Sequence, residues 1–572
     1  MKVSDYIAYF IERKGIEYIF ELSGGMITHL LDSIGQKTKV HIITMHHEQG
    51  ASFAADAYGR ITGLPGIALA TSGPGATNLL TGIGSCYFDS IPAIFITGQV
   101  NRHEQKGDRP IRQLGFQETD IVAMARPITK AAYLVKDEHQ IPAILEEAFK
   151  LATEGRPGPV LIDIPMDVQR CQIEAPEITK KDKTPTVLNA TDLDKITEAI
   201  QQAKRPLLLV GRGVRAGFAI EEMRAFIAKT QIPVVTSLLA VDAIEYDHPF
   251  RIGFIGSYGN RWANIALGES DLLIVAGSRL DIRQTGADAK YFESKTIFHI
   301  DCDPGEINNR IKGCHPVVAD VKDFFVSFCK HSSEVSFTKK TEWFEKIWEL
   351  KDKWPDTKEL SVSTINPNKF NHLLSKNSDK AGAYLVDVGS HQMWAAQSIE
   401  VTKDQLFLTS AGMGAMGFAL PASIGASFAL GVKPVVTIVG DGCMQINIQE
   451  LQTIVRNQLP VKIVVMNNKN LGMIRQFQDS YFESRYQSTY WGYSAPDFQK
   501  VAEGYGISAK TVSDEHEIED AIKWMWNDAN ASKPVLLQVM IDPHTNTYPK
   551  IAFGKPITEM EPFSKPIDME GT

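Results

Sequence analysis

The chain of 572 residues carries six cysteines, at positions 86, 171, 302, 314, 329 and 443, and no two of them form a CxxC pair. Neither a disulfide framework nor a zinc site is indicated. No block of lysine and arginine is long enough to neutralise a run of phosphates, and the formal net charge is −9, which argues against a general nucleic-acid binder. No uncharged stretch approaches the length needed to cross a bilayer. Met1-Lys2-Val3-Ser4-Asp5 passes straight into an amphipathic segment, without the apolar core of a signal peptide. A GxGxxG fingerprint is missing as well: Gly211-Arg212-Gly213-Val214-Arg215-Ala216-Gly217 follows a strand pattern but departs from it, a weak nucleotide signal. These absences lead to the expectation of a cytoplasmic enzyme with neither membrane nor nucleic-acid partner.

What is present is a soluble globular composition, 44% hydrophobic and 22% charged, in a chain long enough for several cores. Short β-branched apolar runs alternate with longer helical patterns, as in parallel sheets covered by helices. Strand candidates in a first block are Tyr18–Leu22, His41–Met45, Gly66–Ala70, Pro92–Thr97 and Pro159–Ile164. A second block offers Pro206–Val210, Pro233–Thr236, Asp271–Ala276 and Thr296–Ile300, and a third Tyr384–Val388, Pro434–Val439, Lys462–Met466 and Pro534–Ile541. The fold class is α/β, with three doubly wound parallel-sheet domains at 1–175, 190–335 and 365–545 and a tail, a candidate lid, at 546–572. Pro176 to Asn189 reads as a linker, and His331 to Asn366 as a polar connection punctuated by tryptophan. Gly50-Ala51-Ser52-Phe53-Ala54 recurs as Gly425-Ala426-Ser427-Phe428-Ala429, a weak sign that the first and third domains are related.

The most informative motif closes the apolar run Pro434 to Val439. Gly440-Asp441-Gly442 puts a carboxylate at a strand end between residues whose backbone can approach a phosphate, and Asn467-Asn468 follows the next strand. Asp and Asn supply the hard oxygens that Mg²⁺ takes beside a ligand diphosphate. A Gly-rich turn and an Asn-Asn hairpin explain the same residues about as well. Glu48, directly after a strand, suits a helix N-terminus as readily as a buried acid. Thr71-Ser72-Gly73-Pro74-Gly75-Ala76-Thr77-Asn78 can join strand to helix or face a polar ligand, and Phe116-Gln117-Glu118-Thr119 can be plain surface loop.

Glu48, the SGPGATN turn, FQET, Arg156-Pro157-Gly158-Pro159, Gly389-Ser390-His391-Gln392-Met393-Trp394, Gly414-Ala415-Met416-Gly417-Phe418, the GDG–NN pair and Leu471-Gly472-Met473 stand in one order. In that order the chain resembles the acetohydroxyacid (acetolactate) synthases and their flavin-containing relatives, which depend on thiamine diphosphate (ThDP). The resemblance implies pyruvate as donor and a second carbonyl compound as acceptor. It implies Glu48, Gln117 and Met416 as catalytic residues, with Glu48 bonded to the pyrimidine and Met416 bending the cofactor. Gly25, Ser390, His391, Gly414, Met416, Gly442 and Cys443 would hold ThDP, and Asp441, Asn468 and the Asn470 carbonyl would hold Mg²⁺. Gly211, Arg279, Asp281 and Asp301 would hold FAD in a structural role. Arg283, Met473 and Phe477 would meet the substrate. A homodimer or tetramer is implied, with Glu48 and the Mg²⁺ site meeting across the subunit interface.

Three departures bear on the acceptor. Phe477 stands where biosynthetic members carry Trp, Met166 where they carry Lys, and the segment between Val100 and Phe116 is longer and includes Lys106, Arg109 and Arg112. An alternative acceptor is therefore a keto-sugar nucleotide, and a pyruvate oxidase-type flavoenzyme is a third reading. A catalytically silent regulatory paralogue is disfavoured, because Glu48, Asp441 and Asn468 are all present.

Overall fold

The computed structural model describes residues 1–176, 178, 188–362 and 364–568. The first sheet comprises β1 (Tyr18–Leu22), β2 (His41–Thr44), β3 (Gly66–Ala70), β4 (Ala93–Gln99), β5 (Ala131–Leu134) and β6 (Pro159–Pro165). The second comprises β7 (Pro206–Val210), β8 (Val234–Thr236), β9 (Arg251–Phe254), β10 (Leu272–Ala276), β11 (Thr296–Asp301) and β12 (His315–Val318). The third comprises β13 (Ala383–Val386), β14 (Leu406–Thr409), β15 (Val435–Gly440), β16 (Val461–Asn467), β17 (Ser508–Val512) and β18 (Val535–Met540). Within each sheet neighbouring strands run parallel. Central strands such as β3, β4, β6, β15 and β16 are buried along their whole length, which is why they read as continuous apolar runs.

The orders are β2-β1-β3-β4-β6-β5 and β14-β13-β15-β16-β18-β17 in the outer sheets, one and the same arrangement, and β12-β11-β10-β7-β8-β9 in the middle one. The echoed GASFA segments lie in two helices, Glu48–Thr62 and Ala419–Ala429, that cross one another. Their small residues let the backbones touch: a side chain at Gly425 would run into the carbonyl of Ala54. Phe53 and Phe418 meet edge to face at 5.5 Å, and Tyr18 stacks on Phe428 at 4.8 Å. One hydrophobic core therefore spans the first and third domains. Arg60 adds a buried ionic tie, pairing with Asp56 and Asp89 and donating to the Thr409 carbonyl at 2.9 Å.

The connection that leads into the third domain is tied to it at a second ionic cluster. His372, on helix Pro367–Lys376, places Nδ1 2.7 Å from Glu400 Oε1 and Nε2 2.9 Å from Asp356 Oδ2. Two carboxylates on both ring nitrogens require an imidazolium. Burial works against that charge, but the bonds and fields of Asp356 and Glu400 outweigh it and hold the ring's pKa up to about 9.

One expectation needs correction. The connection from His331 to Asn366 contains helix Thr341–Lys353, which buries Trp343, Phe344 and Ile347 against the middle sheet's core, an amphipathic stripe diluted by seven charged residues. In the tail, β19 (Lys550–Ile551) and β20 (Met560–Glu561) pair, Ile551 N–H donates to Ser257 O, and Arg261 holds the carbonyls of Met560 and Glu561. The expected linker at Pro176 to Asn189 falls largely outside the described residues. Among the described residues the six cysteines form no disulfide, and no helix is long and apolar enough to cross a membrane.

Gly425→Val should lower unfolding free energy by about 1–3 kcal/mol through overpacking of the helix crossing, measurable by urea denaturation. A second test is pH-dependent. The folded imidazole of His372 holds its proton to about pH 9 against 6.5 in the unfolded chain. Its contribution is thus complete below pH 6.5 and fades as pH rises through 9, so the stability gap between wild type and His372→Gln should shrink by roughly 2–3 kcal/mol across that window.

Candidate functional site

The chemistry-bearing residues gather at the carboxyl ends of the parallel strands, where the direction of chain winding reverses and a crevice opens. In the third domain that reversal lies between β13 and β15. Ser390 and His391 begin the helix after β13, and Asp441 begins the helix after β15. His391 bridges the two, its Nε2 accepting from Gly440 N–H at 3.1 Å, and burial pushes its pKa down to about 3, so the ring is neutral. The Ser390 hydroxyl is buried without a hydrogen-bond partner.

Asp441 is 2% exposed, and burial pushes its carboxyl up to about 6 against a 3.1 Å bond from Tyr493 Oη–H to Oδ2. The Asn468 side-chain amide lies 2.8 Å from the Asn470 carbonyl oxygen and 3.1 Å from Asp441 Oδ1. With its oxygen toward them, three oxygens converge as a cation's ligands would; with its nitrogen toward them, the amide donates to both. An octahedral cation holding oxygens at about 2.1 Å spaces adjacent ones about 3.0 Å apart. The three groups therefore fit Mg²⁺ by donor type and by spacing. The pair Asn467-Asn468 ends a parallel strand and is no hairpin.

Around this cluster, Gly442 is packed between Leu471 and Met416, a Cβ there lying 2.9 and 3.3 Å from their side chains. Gly472 leaves room beside Asn468 and Ser390 in the same way. Gly414 and Met473 also line the cavity, while Cys443 is buried, donates to Val388 O at 3.0 Å, and has its thiol pKa pushed well up by burial.

The cavity, about 1100 Å³, continues without a break into the middle domain, at the reversal between β7 and β10. Arg279, Asp281, Asp301 and Arg283 line it there. Gly211 does not: it lets the turn after β7 touch Gly277 and Ser278, so its role is packing. Asp281 Oδ1 caps helix Ile282–Thr285, while Oδ2 pairs with Arg279 at 3.1 Å. Sequence reasoning missed Arg212, which follows Gly211 in the weak fingerprint. Its Nε is buried without a partner, and burial first, then the nearby Arg60, lower its pKa to about 10. A guanidinium with a buried, unbonded Nε on this cavity wall fits an anionic dinucleotide such as FAD.

Gly25, Glu48 and Gln117 form a separate group at the carboxyl end of the first sheet and do not line that cavity. Glu48 is 6% exposed and begins helix Glu48–Thr62; its Oε2 accepts from Asn78 Nδ2 at 2.9 Å. Gly75 sits against its other oxygen, where a Cβ would be 3.1 Å away. Gln117 meets the same turn, since a Cβ on Gly73 would lie 2.9 Å from its own. Met26, next to Gly25, donates its N–H to Thr71 Oγ1 at 3.3 Å. Phe477 also lies off the cavity, against Tyr481 at 4.7 Å and Phe482 at 6.0 Å. The Lys106–Arg112 stretch is largely solvent-facing, its base held by Glu118, which accepts from the N–H groups of Lys106 and Leu114.

Two crevice-bearing domains of one topology around a third define the architecture of a thiamine pyrophosphate enzyme. Family models agree: the N-terminal TPP binding domain matches residues 1–124, the central domain 193–327 and the C-terminal TPP binding domain 387–539. The acetolactate synthase isozyme 2 large subunit of Escherichia coli is 36% identical over 567 residues, covering 98% of this chain and 99% of that protein. A probable acetolactate synthase large subunit of Methanocaldococcus jannaschii is 37% identical, over 95% of this chain and 92% of its own length. The acetolactate synthase large subunit of Lactococcus lactis is 35% identical, over 96% of this chain and 94% of its own length. The chain belongs to the ThDP-dependent acetolactate synthase-like family of enzymes.

If the three oxygens hold a divalent cation, Asp441→Ala should weaken Mn²⁺ binding at least tenfold in the presence of ThDP, read by electron paramagnetic resonance. Affinity within twofold of wild type would remove the assignment.

Proposed function

We propose that the protein decarboxylates pyruvate and joins the resulting two-carbon unit to a second 2-oxo acid, with ThDP, Mg²⁺ and FAD bound. The convergence of Asp441, Asn468 and Asn470 beside Met416, at the reversal point of the third sheet, is the observation that carries this reading. Near-full-length similarity to acetolactate synthase large subunits supports it.

Bound ThDP supplies a thiazolium that takes up the electron pair left when CO₂ departs, chemistry that belongs to the cofactor. The chain's own residues bind and orient. Ser390, with its orphaned hydroxyl, and the N–H groups at Asp441 and Gly442 suit a diphosphate at a helix start. Met416, flanking Gly442, suits the wedge that bends the cofactor. His391 stays neutral and holds the Gly440 turn in place. Glu48, fixed by Asn78 within a nearly dry turn, is suited to hold a proton on a pyrimidine nitrogen.

The group containing Glu48 and the group containing Asp441 stand apart within one chain, which supports a homodimer, or a tetramer built from dimers, in which each site draws on two copies. Arg283 on the cavity wall favours a carboxylate-bearing acceptor. The cationic stretch that suggested a nucleotide-linked acceptor is not part of that wall.

Incubation with pyruvate, ThDP and Mg²⁺ should yield 2-acetolactate as the main product; acetate formed only with an electron acceptor would reject the ligase reading. Glu48→Gln should cut carboligation by about 10²–10⁴-fold while leaving ThDP affinity close to wild type, measured by calorimetry.

A further inference from the structure

Beside the group of Gly25, Glu48 and Gln117, the first sheet contains a buried carboxylate with no cationic partner among its hydrogen bonds. Asp163, on β6, is 2% exposed. Its Oδ1 accepts from Thr97 Oγ1 at 2.7 Å and its Oδ2 from Gln99 Nε2 at 2.8 Å, both residues lying on β4. Gln99 Nε2 also donates to the Thr119 carbonyl at 2.8 Å, and Gln99 Oε1 accepts from Val100 N–H at 3.0 Å. An amide has two N–H groups and one carbonyl, so every polar atom of Gln99 is engaged and its orientation is set by its neighbours.

Thr119 is two residues from Gln117, and its hydroxyl donates to the Gln117 carbonyl at 3.4 Å. Gln117 has φ of +67°, in the left-handed region that a residue with a side chain adopts only when its surroundings impose it. Among the restraints are Gly73 against its Cβ, the Thr119 hydroxyl on its carbonyl and the Gln99 bond to Thr119. Glu118 anchors the preceding cationic segment.

We propose that Asp163 is a positioning residue: through Gln99 it holds the Phe116–Thr119 loop, and with it Gln117, beside the turn that seats Glu48. The inference rests on the reading of Gln117 as a residue at the reacting centre. Asp163 touches neither substrate nor cofactor; it fixes which way the Gln99 amide points, and the amide fixes the loop.

Gln99→Met keeps the volume and removes both donors. In the full-length enzyme it should lower kcat roughly ten- to hundredfold, as a displaced group near a reacting centre does, with ThDP affinity within twofold of wild type. In a Gln117→Ala background the same substitution should have no further effect. Losses that simply multiply in the double variant overturn the proposal alone; Gln117→Ala with unchanged kcat removes the reading beneath it and the proposal together. Should Gln99→Met not fold, Asp163→Asn serves. Burial raises the Asp163 pKa to about 7, with the Thr97 and Gln99 bonds pulling down and the field of Asp120 pushing up. Below that pH the carboxyl loses its charge, and the charge-assisted bond that holds the Gln99 amide weakens to a neutral one. The wild-type kcat should therefore fall from pH 8 to pH 6, and the ratio between the two pH values should flatten in Asp163→Asn. A ratio unchanged by that substitution overturns the proposal.

Discussion

The crossing of helices Glu48–Thr62 and Ala419–Ala429 is the contact on which the arrangement of the chain turns. It is close because glycine and alanine leave backbone against backbone, and such packing tolerates no added methylene. Glu48 is the first residue of one helix, and Met416 lies just before the other. The same contact therefore sets the pitch at which both groups leave their domains. Bonds at its edge reinforce this: Glu450 accepts from His46 N–H, and Asn447 donates to Gln49. Any loosening would displace the acid and the cofactor wedge together.

The interior of the fold was legible because central parallel strands are buried on both faces and read as plain apolar runs. Of the edge strands only β2 was. β5, β12 and β17 are partly exposed, and their sequences AAYL, HPVV and SAKTV are short and carry few β-branched apolar residues. β9 and β14 are buried but four residues long and are flanked by turns, which leaves too few positions for a period to show. Helix Thr341–Lys353 hid for another reason, its three buried positions being outnumbered by charged ones.

Site residues divide along the same line. Asp441 and Asn468 were singled out because a strand end followed by glycine, acid or amide is a local pattern, whereas Glu48 and Gln117 took their expected roles from the family resemblance. Arg212, Asp163 and Tyr493 were missed, since their meaning comes from partners far along the chain or from the lack of one. Gly211 shows the converse: a glycine that suggests a phosphate turn serves instead to let two strand ends touch. The GASFA echo, five small residues and weak by itself, gains force from two sheets with one strand order.

The unbroken cavity joining the middle and third domains has a consequence of its own. Its two ends share one solvent column, so whatever fills the crevice at Arg212 and Asp301 becomes a wall of the chamber at Asp441. Emptying the middle crevice would flood the diphosphate end with bulk water and raise its local polarity. An occupant there can thus govern the reaction as insulation, with no electron exchanged and no contact made.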